Sequence, residues 1–186
     1  MKDDYIISRL ADIFARRGSD SYLGEEVTMS EHMLQTATLA EGENADDTLI
    51  AAALLHDVGH YADEFSAYNP SDTFDKRHDI VGAELLAPFF DSRIVAAVRL
   101  HVAAKRYLCA LSPQYMSMLS AASQHSLSLQ GGPMSDLEIA EFEENDGYLD
   151  AVRVRQWDDL AKVPGVLTPK FDHFVSVLSR GLCANK

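Results

Sequence analysis

Cysteine is scarce in this chain: Cys109 and Cys183 are the only two among 186 residues. They stand in no metal-type spacing and are too few to frame a disulfide scaffold, so they read as free thiols in a reducing compartment. Basic residues are also short, 16 Lys and Arg against 29 Asp and Glu, for a net charge of -13. Such a surface repels phosphate backbones and argues against nucleic acid as a partner. An anionic substrate would need a local cluster of basic groups to reverse that field. Long apolar runs are missing, and the opening MKDDYIISRL carries no apolar signal core. No membrane association and a cytoplasmic location are therefore expected. Period-two alternation of strand length is missing too, as are repeats and linkers. What remains is ordinary globular composition, 47% hydrophobic and 24% charged, long enough to bury a core. One domain over residues 1–186 is expected, all-α in class.

The most informative stretch runs from Leu49 to Glu64, LIAAALLHDVGHYADE. Leu49 to Leu55 is apolar on every face, the mark of a buried helix. It then turns abruptly to His56, Asp57 and His60. Unpaired polar groups in a core cost several kcal/mol, roughly 2–7 each, so these three need a partner. On a continuing helix, His56 and His60 point the same way with Asp57 on the adjoining flank. Imidazoles and a carboxylate at the buried end of a helix suit a transition metal. The ordinary alternative is a satisfied core histidine beside a helix-terminal carboxylate.

The remaining chain reads as helices joined by turns. Residues 3–17 put Ile6, Leu10, Ile13 and Phe14 on one face, with Gly18 as a stop. Thr28 and Glu31 have capping-box spacing and open a helix to about Ala40 that carries His32 in its first turn. Asp46 or Asp47 can cap the central helix. Residues 62–77 read as a loop, with Asn69-Pro70-Ser71-Asp72 as turn chemistry. Helices follow over about His78–Leu86 and Ser92–Leu108, the second bearing His101 and Lys105. A longer one opens at Pro113 and runs to about Leu129, where Gln130-Gly131-Gly132-Pro133 breaks it. Ser135 and Glu138 form a second capping box. That helix is interrupted at Gly147 and resumes to about Lys162, where Pro164-Gly165 ends it. Thr168-Pro169 begins the last helix and Gly181 closes it.

His32, His56, Asp57, His78, His101 and Asp158 thus lie on different helices or at their ends. Helix-borne histidines and carboxylates converging inside a bundle are a common way to build a dinuclear metal site. Taken singly, each has a duller explanation: Asp158 as helix solvation, His78 as an exposed cap. His125 and His173 belong to no motif and read as surface residues.

The order His32, His56-Asp57 and a distant Asp158 resembles the HD-domain superfamily of metal-dependent phosphohydrolases, and His78 and His101 narrow this to dinuclear members. Tyr22-Leu-Gly-Glu25, HVAAKRYLC from His101, LSAAS from Leu119, LQGGPM from Leu129 and RQWDDLAK from Arg155 resemble the HD-domain oxygenases of phosphonate breakdown. The likeness runs from about Tyr22 to Lys162. It implies a mixed-valent Fe(II)/Fe(III) pair of iron ions. His32, His56, Asp57 and Asp158 would hold one iron, His78 and His101 the other, with Asp57 bridging. It implies that Tyr22 occupies the first iron before substrate arrives and that Glu25 senses a cationic nitrogen on the substrate. His60, Lys105, Ser123 and Gln130 would line the pocket. Glu26 offers a second carboxylate beside Glu25, and Asp159 a second beside Asp158. The implied reaction uses O2 to cleave the carbon–phosphorus bond of a 1-hydroxy-2-aminoethylphosphonate-type substrate, giving phosphate and glycine or glycine betaine. Two other readings stand beside it, an HD phosphohydrolase acting on a nucleotide or phosphate ester and a non-catalytic HD interaction module.

Overall fold

The computed structural model describes residues 2–22, 24–61 and 77–183. Among them the regular structure is helical, and β pairing is confined to isolated bridges, Ser21 with Thr28 and Phe90 with Leu182. The all-α expectation is borne out. No helix among the described residues is long and apolar enough to cross a membrane.

Helix α1 (Lys2–Arg17) buries Ile6, Leu10, Ile13 and Phe14, one stripe at helical spacing. Helix α2 (Met29–Gly42) starts at the expected box: the Thr28 hydroxyl accepts from Glu31 N at 3.3 Å, and Thr28 N donates to Glu31 Oε2 at 2.7 Å. This reciprocal cap fixes the first turn and with it the direction of His32. Asp46 caps α3 (Asp47–Leu55) by accepting from Leu49 N at 3.0 Å. All of α3 from Leu49 to Leu55 is buried, which accounts for its lack of a polar face. Each Leu or Ile so buried contributes about 1.5–3 kcal/mol. Around α3 pack α2, α5 (Ser92–Leu111), α9 (Tyr148–Leu160) and α10 (Phe171–Arg180). Helix α1 closes the far side of α10 through Phe14 on Phe171, ring centroids 4.7 Å apart.

Three boundaries differ from the sequence reading. The central helix does not continue through His60. It ends at Leu55, and the chain turns through His56 and Asp57 into a four-residue 3-10 segment, Val58–Tyr61. Within that segment Gly59 packs against α4 (His78–Leu86): a Cβ there would lie 1.9 Å from the His78 carbonyl oxygen, so bare backbone makes the contact. The helix from Pro113 also breaks, into α6 (Pro113–Met118) and α7 (Ala121–Leu129), with Leu119 extended and Ser120 capping the second piece. The last helix starts at Phe171 rather than at Pro169, with extended Lys170 before it. Elsewhere the limits agree closely, including the second capping box, Ser135 with Glu138, at the head of α8 (Asp136–Glu143). The turn expected at Asn69–Asp72 lies outside the described residues.

Candidate dinuclear metal centre

The buried end of α3 meets α2, α5 and α9, and four side chains converge there. His32 arrives from the first turn of α2, His56 and Asp57 from the turn after α3, and Asp158 from the last turn of α9. All four are buried. His32 Nδ1 lies 2.9 Å from the Ala161 carbonyl oxygen and His56 Nδ1 2.8 Å from that of Ala53. A carbonyl only accepts, so in each ring Nδ1 carries a proton and Nε2 is the nitrogen left to face a metal. The two Nε2 atoms face each other at 3.1 Å. Asp57 Oδ2 lies 3.4 Å from His32 Nε2 and 3.3 Å from His56 Nε2, and Asp158 Oδ1 lies 3.4 Å from His32 Nε2. Neither of those buried oxygens has a hydrogen-bond partner. Four acceptors around one point, each ring fixed by a carbonyl behind it, is the donor set a metal cation satisfies.

A second set lies against the other oxygen of Asp57. His78, at the start of α4, and His101, on α5, put their Nε2 atoms 3.1 Å apart, each 3.4 Å from Asp57 Oδ1. His101 Nδ1 donates to the Val98 carbonyl at 2.7 Å, again leaving Nε2 to face a metal. Burial, with His60 beside it, brings His78 down to about 3, so that ring is neutral. The two sets, His32–His56–Asp57 and Asp57–His78–His101, each bring ligand atoms within 4.8 Å of one another and share one carboxylate. The arrangement suits two metal ions bridged by Asp57.

His60 does not share the direction of His56. A 3-10 turn advances about 120° per residue, so the ring rotates out of the first set. It stacks on His78 at 4.0 Å and brings Nε2 3.7 Å from Asp57 Oδ1. Tyr22 stacks on His32, centroids 3.9 Å apart and rings 15° from parallel. Burial and the nearby charges of Asp57 and Asp158 push its phenol well above the usual tyrosine range.

Basic groups gather beside the first set, as an acidic protein with an anionic ligand requires. Lys105, on α5, is 2% exposed and donates to Ser126 Oγ at 2.8 Å. Burial, and then the neighbouring Arg155, brings it down to about 7. Lys162 donates to Ser123 Oγ at 3.1 Å and lies 3.4 Å from Asp158 Oδ1. Arg155 Nη1 is 2.7 Å from Asp158 Oδ2. Against the cost of burial, Arg155 and Lys162 hold the Asp158 carboxyl well below its usual range. Asp159 turns away to Arg155 and the Tyr115 hydroxyl, so of the two adjacent carboxylates it is Asp158 that faces the cluster. Likewise Glu25 is half-buried and accepts from Ser120, whereas Glu26 is exposed. Gln130 caps the end of α7 with a buried Oε1 that lacks a hydrogen-bond partner. His125 and His173 are exposed, the latter paired with Glu41.

Sequence reasoning missed Lys162, Ser126 and Ser120. Lys162 carried a signal, standing one helical turn after Asp158. The serines carried none, because their roles depend on the α6–α7 break.

The fold and site define a class. The HD-domain model matches residues 29–147, and the chain belongs to the HD-domain family. Two relatives are similar over most of their length. The [1-hydroxy-2-(trimethylamino)ethyl]phosphonate dioxygenase (glycine-betaine-forming) of Leisingera caerulea is 49% identical over 94% of this chain and 89% of its own. The hydroxymethylphosphonate dioxygenase of Gimesia maris is 48% identical over 83% of this chain and 77% of its own. An uncharacterized protein, L432, of Acanthamoeba polyphaga mimivirus is 29% identical over 92% of the chain.

Proposed function

We propose that this protein is a di-iron oxygenase, a single HD domain that uses O2 to cleave the carbon–phosphorus bond of a 1-hydroxyphosphonate bearing a cationic nitrogen. One observation carries the reading: the shared-carboxylate double histidine site adjoins a helix, α7, that meets a carboxylate at its N-cap and two ammonium groups along its first two turns. Ser120 at its start bonds the Glu25 carboxylate, while Ser123 and Ser126 bond the ammonium groups of Lys162 and Lys105. Six residues of helix span about 9 Å. A small zwitterion, phosphonate at one end and ammonium at the other, matches that charge order. The similarity to two hydroxyphosphonate dioxygenases supports the same substrate class.

In this reading His32, His56, Asp57 and Asp158 hold one iron and Asp57, His78 and His101 the other. The mixed-valent pair supplies O2 chemistry and the means of removing hydrogen from C1. Every other role falls to the chain. Lys105 and Lys162 receive the phosphonate through charge-assisted hydrogen bonds, each contributing about 1.5–3 kcal/mol. Ser123 and Gln130 line the same pocket, and His60, stacked on His78, borders the second metal position. Tyr22 covers His32 and shields the first metal position until substrate displaces it. Glu25 meets the nitrogen and ties that displacement to the cationic end, since Tyr22 and Glu25 share one turn, Glu25 N donating to the Tyr22 carbonyl at 2.7 Å. Overall C1 is oxidised to a carboxylate, the C–P bond breaks and O2 takes up the electrons, leaving phosphate. Hydroxyphosphonate plus O2 balances carboxylate plus phosphate, so no further reductant is needed. Two free thiols, Cys109 and Cys183, are compatible with a reducing cytoplasm.

Turnover of 1-hydroxy-2-(trimethylamino)ethylphosphonate tests the proposal. Phosphate and glycine betaine should appear in equal amounts. Hydrolysis of nucleotides or phosphate esters at a comparable kcat/KM, with no hydroxyphosphonate turnover, would move the protein to the phosphohydrolases.

A further inference from the structure

Ser120 stands where the α6–α7 helix breaks, with no part in the metal set. Its Oγ accepts from Ser123 N at 3.1 Å, capping α7, and donates to Glu25 Oε1 at 2.5 Å. The partner turn is held through its backbone: Tyr22 N donates to the Val27 carbonyl at 3.1 Å and Glu25 N to that of Tyr22. Gly24, at φ 87°, gives the turn a conformation that L side chains rarely adopt. These bonds fix where Glu25 begins but leave its χ angles free. Ser120 supplies the bond that fixes the carboxylate itself.

We propose that Ser120 is a positioning residue for substrate selectivity, its hydroxyl holding the Glu25 carboxylate so that a cationic substrate nitrogen meets a prepositioned charge. The inference rests on the function proposed above and adds a residue to it. A carboxylate oxygen has two lone pairs, so Glu25 can keep Ser120 and take the cation as well. A side chain already immobilised in the free protein loses less freedom on binding, and that difference appears as affinity. The hydroxyl-to-carboxylate bond is of the stronger, charge-assisted kind. It is also a bond across elements, from the start of α7 to the loop residue Glu25 ahead of α2. Further along α7, Ser126 Oγ donates to the Ser123 carbonyl at 3.0 Å while receiving Lys105. One short helix therefore positions groups at both charged ends of the substrate, and Ser120 serves the cationic end.

The cap and the latch can be separated by substitution. Glycine is nearly as good an N-cap as serine but has no hydroxyl, whereas threonine keeps both functions. Ser120→Gly should raise KM for 1-hydroxy-2-(trimethylamino)ethylphosphonate about ten-fold, the effect of one hydrogen bond to a charged group, with kcat far less affected. KM for hydroxymethylphosphonate, which has no nitrogen, should rise much less, so the ratio of the two KM values moves by close to the same factor. Ser120→Thr should restore most of it. In a Glu25→Gln background Ser120→Gly should shift that ratio little further, because the carboxylate it positions is gone. An equal rise for both substrates, or none for either, overturns the inference and leaves Ser120 a helix cap. Wild-type enzyme that turned over neither substrate would overturn the proposed function and this inference together.

Discussion

Asp57→Ala should empty both metal positions at once. Its Oδ2 lies 3.3 to 3.4 Å from the first pair of imidazoles and its Oδ1 3.4 Å from each of the second pair. No other described residue belongs to both candidate sets. Without it each position keeps two imidazoles, and only the first keeps a carboxylate, Asp158. Dinuclear sites in helical bundles depend on such carboxylates to offset the charge of the ions. The wild-type chain should carry about two irons after aerobic purification, and Asp57→Ala close to none. Asp158→Ala makes the informative contrast, since among the cluster's histidines Asp158 approaches His32 and His56 and neither of the second pair. That variant should lose iron mainly from the first position and retain about one. Ligands that bind only the folded state add to stability, so chelation should lower Tm in the wild type and have little effect on Asp57→Ala. Elemental analysis beside circular dichroism separates lost metal from lost fold. Full iron occupancy in a folded Asp57→Ala protein would contradict the shared site.

The second large effect is expected at Glu25, and it concerns which substrate is chosen. Glu25→Gln removes the charge while keeping the size of the side chain. Taking away one partner of a largely desolvated charge pair costs about 2–5 kcal/mol. That corresponds to roughly a thirty-fold to several-thousand-fold fall in kcat/KM for the trimethylammonium substrate. Hydroxymethylphosphonate never makes the contact and should lose far less. The ratio of the two kcat/KM values, compared between wild type and variant, isolates the cation. An equal fall for both substrates would mean that Glu25 does not read the nitrogen. Glu26 is a poor substitute in that event, because it is exposed whereas Glu25 is half-buried against Ser120.

Much of this was legible in the residues, and the limits of that legibility have physical causes. Both capping boxes could be read because a cap is local: four residues contain the donor and the acceptor. The buried central helix was readable for the same kind of reason, since an apolar run with no polar face has nowhere else to go. Where that helix ends was not readable. The 3-10 segment that follows brings Gly59 against the His78 carbonyl oxygen of another helix, and no local pattern encodes that approach. The direction of His60 was lost with it, because one change of helix type rotates every later side chain. The six converging ligands could be proposed from residue type, and the resemblance implied their division between two irons, but which oxygen of Asp57 faces each set needed the tertiary structure. Asp158 could be preferred to Asp159 from its spacing to Arg155, and in space Asp158 approaches His32 and His56 whereas Asp159 bonds the Tyr115 hydroxyl. Lys105 was legible one turn after His101, whereas its serine partner Ser126 was hidden by the unexpected break at Ser120.

The central claim, that O2 and not water breaks the carbon–phosphorus bond, is tested most directly by counting molecules. Oxygen uptake and phosphate release should be followed in the same sample with 1-hydroxy-2-(trimethylamino)ethylphosphonate and no added reductant. The balanced reaction predicts one O2 consumed for each phosphate released, and phosphate release that ceases under strict anaerobiosis. Phosphate appearing at an undiminished rate without oxygen would contradict it, and would make the two metals agents of hydrolysis.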